Sequence, residues 1–187
     1  MVRRIYRYLR GTVDYGLIFP KGQGTQLEGY CDSSFANLES YRSLSGHLFL
    51  FGKSPVMWAA TRQPIVAKST EESEYVALTP ALQDCIWAVN LLNELGFQQE
   101  PVVIKEDNEA CIALANNPQS SKRTRHIQVR YHWVREKLEE KFAVLESCRT
   151  VDQLADIFTK GIHGPGLKST CQKIGLKAVQ VTKQEKN

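Results

Sequence analysis

Apolar positions along the chain follow two rhythms, one of two residues or unbroken short runs, the other of three and four. The first marks strands at 16–19, 27–33, 44–51, 55–61, 101–106 and 142–147, most of them bounded by Gly, Pro or Ser-rich pieces. The second marks helices over 1–11, 71–95, 108–116, from Ser120 or Ser121 to Glu140, and 150–160. Gly11 and Gly96 are natural stops, Asn108 a natural cap, and Pro118 ends the helix before it. Thr150-Val-Asp-Gln153 reads as a capping box opening the last helix. Three strands able to form a meander, then alternating helices and strands, predict an α/β fold with a mixed sheet flanked by helices.

The pattern divides the chain into an entering segment and linker (1–24), a main domain (25–160) and a loosely held tail rich in Lys and Gln (161–187). A helix running from the first residue is expected to belong to a longer polypeptide. The 187 residues suffice for one well-buried core. Lys and Arg exceed Asp and Glu by four, a mild bias toward a polyanionic partner that does not by itself identify one. The five cysteines are an odd number without a C-x-x-C pair, which argues against a disulfide framework or a zinc site and suits a reducing compartment. With no long apolar run and no signal-peptide pattern, a soluble intracellular protein is expected.

Four acidic residues stand where lone carboxylates are costly. Asp32 ends the first long strand, and Asp107 sits where a strand passes into a helix. Glu74 shares its helical face with Leu78, Ala81, Leu82, Cys85, Val89 and Leu92, whereas Glu72 projects about 200° away. Asp156 lies one turn into the last expected helix. Taken singly each has an ordinary reading: Asp32 as a turn residue, Asp107 as a helix cap, Glu74 as a boundary residue, Asp156 as the partner of Lys160. If parallel neighbouring strands bring Asp32 and Asp107 together, their repulsion calls for hard cations.

A second stripe, Lys122, His126, Arg130, Trp133 and Lys137, follows helical spacing and suits phosphate contact, or else forms a solvated helix edge. Ser33, Ser34, Asn108 and Gln83 are candidates for polar contacts to a ligand, by their type and their position near the acidic residues. His132 is either a general acid or a core-edge histidine, and His47 belongs to a strand face.

Longer motifs recur in fixed order: Gly29-Tyr-Cys-Asp32, Arg42-Ser-Leu-Ser-Gly-His-Leu-Phe49, a Trp58 to Ala67 segment, Glu71-Glu-Ser-Glu-Tyr75, Glu106-Asp-Asn108, Arg123 to His132, and Asp152 to Lys160. Together they resemble the ribonuclease H domain of copia-type retrotransposon Pol polyproteins, over residues 3–176. The resemblance implies a ribonuclease H-like fold with a five-stranded mixed sheet. It implies hydrolysis of the RNA strand of RNA–DNA hybrids with two Mg²⁺ ions, for which Mn²⁺ can substitute, held by Asp32, Glu74, Asp107 and Asp156. It adds Lys122, Arg123, Arg125, His126 and Arg130 to Ser33, Ser34 and Asn108 as nucleic-acid contacts. The implied partners are the hybrid and the polymerase part of the same polyprotein, with neither membrane nor small-molecule cofactor, in the cytoplasm within virus-like particles. A non-catalytic nucleic-acid-binding module or a structural connection domain is the alternative. Departures from the family pattern are Ser34 in place of a second Asp, Gln128 in place of Asp and Gly161 in place of Pro. Pro80 is expected either to kink the helix carrying Glu74 or to delay its start, with Thr79 as cap.

Overall fold

The structure, a computed structural model, describes residues 2–36, 40–117, 128–162 and 164–179, without the side chains of 128–131. Helix α1 (Val2–Gly11) exposes every side chain, and β1 (Tyr15–Leu17) follows it. The meander is β2 (Leu27–Ser34), β3 (Leu44–Phe51) and β4 (Ser54–Arg62). Next come α2 (Thr70–Glu94), β5 (Val102–Glu106), α3 (Glu109–Asn116), α4 (Gln128–Glu139) and β6 (Ala143–Ser147). A 3₁₀ turn (Thr150–Asp152), α5 (Asp156–Thr159), α6 (Pro165–Lys173) and β7 (Leu176–Ala178) complete the described chain.

The main sheet has the order β4-β3-β2-β5-β6. The meander strands pair antiparallel, and β5 joins β2 and then β6 in parallel, so the expected five-stranded mixed sheet is present. Strand alternation sends two sets of side chains to opposite faces. Cys31, Phe49 and Ile104 pack with Leu78, Leu82, Cys85 and Val134 in the larger core. Tyr30, Leu48 and Leu50 pack with Leu154, Ala155 and Ile174 in the smaller one. With both faces covered, β2 and β3 are buried along almost their whole length, polar residues such as Asp32, Ser33, Ser45 and His47 included. Gly29 is required where β2 lies over Phe49, because a Cβ there would meet Phe49 Cε1 at 2.6 Å.

Helix α2 runs through Pro80 without interruption and begins before Glu74, so neither the later start nor a Thr79 cap occurs. Its first turn is held from both sides: Ser69 accepts from the Glu72 amide at 3.1 Å, and the Glu72 carboxylate accepts from the Lys68 amide at 2.7 Å.

Two expectations are corrected at the C-terminal end. The capping box at Thr150 does not form: the N-cap is Arg149, whose side chain makes no capping bond and pairs with Asp152 instead, and the 3₁₀ turn stops at Asp152. The Gln153 side chain is drawn into the sheet instead, as described below. The tail is also not loose through 179. Helix α6 and its C-cap contribute Cys171 and Ile174 to buried positions, and β7 pairs antiparallel with β1 in a separate two-stranded sheet. Short polar-rich elements give little periodic signal, and the partner of β7 lies some 160 residues earlier in sequence, beyond local pattern reading.

Candidate metal centre

The ladder between β2 and β5 ends at Tyr30 opposite Lys105, so the strands carry Asp32 and Asp107 beyond their last paired residues. Gln153 occupies the place where the ladder stops: its amide nitrogen donates to Cys31 O at 2.8 Å and to Lys105 O at 3.3 Å. Its carbonyl oxygen accepts from the Ala155 amide at 3.1 Å, tying the segment before α5 to both strands. Helix α3 begins immediately after Asp107, capped by Asn108 Oδ1, which accepts from the Cys111 amide at 3.0 Å.

Asp32, Glu74 and Asp107 converge, each offering a carboxylate oxygen within 4.8 Å of the others. Asp32 and Glu74 are buried, while Asp107 is partly open. The face carrying Glu74 is the one helical periodicity assigns it. Glu72, although also buried, is spent on the helix cap. Asp156 stands at the start of α5, apart from this trio but next to Asp32: the Lys160 ammonium lies 2.5 Å from Asp156 Oδ1 and 3.3 Å from Asp32 Oδ1. The Thr159 hydroxyl donates to the other Asp32 oxygen.

The electrostatics follow from burial. Loss of solvent raises Asp32 to about 6, and the Thr159 hydroxyl and the Lys160 charge hold it from rising further. Glu74 is pushed well up by burial and then by the nearby Glu106 and Asp32 carboxylates. Burial alone would lower Lys160, but its bond to Asp156 and the charges of Asp32 and Asp156 raise it.

Glu106 belongs to this environment although sequence reasoning did not select it. It is fully buried, and burial also raises its carboxyl; one oxygen accepts from the Asn108 amide at 3.1 Å. The signal was the alternation of β5, where Val102, Ile104 and Glu106 share the buried face. The second oxygens of Glu74 and Glu106 are buried without a hydrogen-bond partner among the described residues. Hard divalent cations take carboxylate oxygens, and a cation would satisfy the Glu74 oxygen as a protein donor does not. The donor set fits a hard divalent cation.

A cleft lined by Asp32, Ser33, Ser34, Phe35, Glu74, Asp107, Asn108 and Lys160 opens on the trio. Ser33 is buried there and shares a 2.7 Å hydrogen bond with Ser73, leaving Ser34 and Asn108 nearer the rim. Gln83 lies elsewhere, in a groove with Ser45, Arg62 and Thr79. Lys122, Arg123, Arg125 and His126 are outside the described residues, as is the Arg130 side chain. Of the remaining stripe on α4, Trp133 packs against the larger core and Lys137 is paired with Glu136 and Glu140. His132 is exposed, and buried His47 bonds Asp84 at 2.8 Å. All five cysteines are free. Among the described residues no helix is long and apolar enough to cross a membrane.

No family model matches the chain. The chain is 38% identical over 160 residues to the retrovirus-related Pol polyprotein from transposon TNT 1-94 of Nicotiana tabacum, covering 85% of this chain. It is 33% identical over 177 residues to that from transposon RE2 of Arabidopsis thaliana, covering 94%. The fold matches LC11-RNase H1, isolated from compost by a metagenomic approach, with a TM-score of 0.57 at 17% identity, over 72% of this chain and 93% of that one. The chain belongs with the copia-type Pol polyproteins and has the ribonuclease H fold. It spans 12% of the length of these Pol relatives. LC11-RNase H1 has also been solved in complex with an RNA/DNA hybrid, and that structure matches with a TM-score of 0.53 at 13% identity, over 71% of this chain and 93% of that one.

Proposed function

We propose that this chain is the ribonuclease H of a retrotransposon Pol polyprotein, hydrolysing the RNA strand of RNA–DNA hybrids during reverse transcription. The observation that carries this reading is the convergence of Asp32, Glu74 and Asp107 at the mouth of a cleft, with Asp156 delivered beside Asp32 by a separate element. The four carboxylates would hold two Mg²⁺ ions, with Mn²⁺ as a substitute. Such ions supply an activated water and a stabilised leaving oxygen to phosphodiester hydrolysis.

The chain's own part is to hold this acidic cluster in place. Thr159 and Lys160 orient the two oxygens of Asp32, and Ser69 with Glu72 fixes the start of the helix that aims Glu74. Ser34 and Asn108 sit where the substrate backbone would pass, while Lys122, Arg123, Arg125, His126 and Arg130 would grip phosphates of the hybrid; Ser33 supports the cleft from within. The Pol relatives support a setting next to a polymerase part of the same polyprotein, and cytoplasmic virus-like particles are the location this reading entails.

Incubation with a hybrid labelled on its RNA strand, with Mg²⁺ and with chelator, tests the reading. Metal-dependent cleavage of RNA but not of DNA is expected. Tight hybrid binding without cleavage would make the chain a non-catalytic binding module, and neither binding nor cleavage would leave a structural connection domain.

A further inference from the structure

Asp32 has two different kinds of neighbour. Toward α2 and the end of β5 it faces other carboxylates, Glu74 and Asp107, with oxygens within 4.8 Å. Toward α5 it faces Asp156 through a cation already supplied by the protein, the Lys160 ammonium, 3.3 Å from one carboxylate and 2.5 Å from the other. The four acids therefore form two half-sites sharing Asp32, one a trio of carboxylates and the other a pair bridged by Lys160.

A divalent ion bound jointly by Asp32 and Asp156 would need oxygens at about 2.0–2.1 Å, in the space the ammonium now bridges. Two cations do not share that space. Lys160 is 41% exposed and carries a flexible stem, so its head group can leave without disturbing α5. Thr159, the next residue back, keeps its own hydrogen bond to Asp32 and anchors the segment while Lys160 moves.

We propose that Lys160 is the resident monocation of the Asp32–Asp156 half-site. One divalent ion enters the trio directly, whereas a second binds only by exchange with the Lys160 ammonium. This rests on the reading that the four carboxylates bind divalent ions. The exchange makes Lys160, rather than any carboxylate, the residue that sets the difference between the two affinities.

Titration of the full chain with Mn²⁺, following bound ion by electron paramagnetic resonance and calorimetry, reads this without any turnover. The parent should show a tight and a weak site. Lys160→Met, which keeps the stem but removes the charge, should tighten the weak site by about tenfold or more, since a charge-assisted competitor has gone. The tight site should change little. Lys160→Arg should retain the parent's weak site, and Asp156→Asn should abolish it in both the parent and Lys160→Met. Equal weak-site affinity in the parent and Lys160→Met, or a shift confined to the tight site, overturns the role of Lys160 while leaving the metal centre standing. Absence of any Mn²⁺ binding in the parent removes the metal centre itself, and the exchange with it.

Discussion

Asp32 and Gly46 lie directly opposite each other across the β2–β3 ladder, and the absence of a side chain at Gly46 is what lets α5 reach Asp32. A Cβ on Gly46 would meet Thr159 Cγ2 at 2.7 Å, Phe158 Cβ at 2.9 Å and the Ala155 carbonyl at 3.2 Å. Two of these three contacts are not flexible side-chain ends, so α5 must move. Gly46→Ala is expected to cost about 1–3 kcal/mol in denaturant melts, as overpacking does. Cleavage of a hybrid should fall further than the lost stability accounts for at temperatures where the variant is folded, because Thr159 and Lys160 are carried off Asp32. Parent-like cleavage in Gly46→Ala would break the link between this glycine and the site.

Asp32→Asn and Asp107→Asn should each abolish metal-dependent cleavage while leaving circular dichroism unchanged. Asp32 is buried at a raised pKa, so removing its charge relieves a desolvation cost that offsets the weakened contacts to Thr159 and Lys160. Melts in chelator should show no loss of stability for Asp32→Asn beyond that of its hydrogen bond to Thr159, about 1 kcal/mol. Activity within tenfold of the parent in either folded variant would dismiss it as a ligand.

Glu74→Gln and Glu72→Gln should part company. Glu74 has a buried oxygen directed at no protein donor among the described residues, whereas Glu72 holds the Lys68 amide and the α2 start. The first substitution should lower cleavage by several orders of magnitude with little loss of stability. The second keeps a carbonyl oxygen for the Lys68 amide, so it should lower stability by no more than about 1 kcal/mol and leave turnover nearly intact below its melting point. A dead Glu72→Gln beside a live Glu74→Gln would reverse the assignment.

Stability in chelator should fall as pH rises. The folded-state pKa values of Asp32, Glu74 and Glu106 are all raised above ordinary carboxylate values, so the folded protein binds more protons than the unfolded chain in between. The derivative of unfolding free energy with pH is then negative. The stabilisation is complete below about pH 4, where unfolded carboxylates are protonated too, and is lost upward, through about 6 for Asp32 and higher for the glutamates. Glu74→Gln should flatten the upper part of this profile, and saturating Mg²⁺ should do the same for the parent. A melting temperature that instead climbs from pH 5 to 9 in chelator would contradict the buried carboxyl cluster.

Much of this was readable in the sequence because it rests on strong local patterns. The strands announce themselves as stretches with clustered apolar and aromatic residues between turn-rich pieces, and Glu74 is placed by a helical stripe that Pro80 does not break. Asp32 and Asp107 stand out as charges at the ends of such stretches. Glu106 escaped because its neighbours Lys105 and Asp107 make it look like one member of a polar turn, although strand alternation points it inward. Gln153 was misassigned to a cap because the residues that claim its amide, Cys31 and Lys105, are 122 and 48 positions away. Local rules offered it a local partner, and two strand carbonyls outbid it.

That same glutamine gives the site an order of assembly. Its two bonds, and those from Thr159 and Lys160 to Asp32, close chain segments of up to 128 residues, the costliest kind of contact to form early. While the chain is being synthesised, β2, β3 and β4 can pair long before residues 150–160 exist. The acidic trio can likewise gather around α2 and β5 with its last support missing. Competence therefore arrives late, in a single docking of the segment carrying Gln153, Asp156, Thr159 and Lys160. The corresponding opening should be the first to appear in native-state hydrogen exchange, with the Ala155 amide exchanging by a smaller free energy than those of β2.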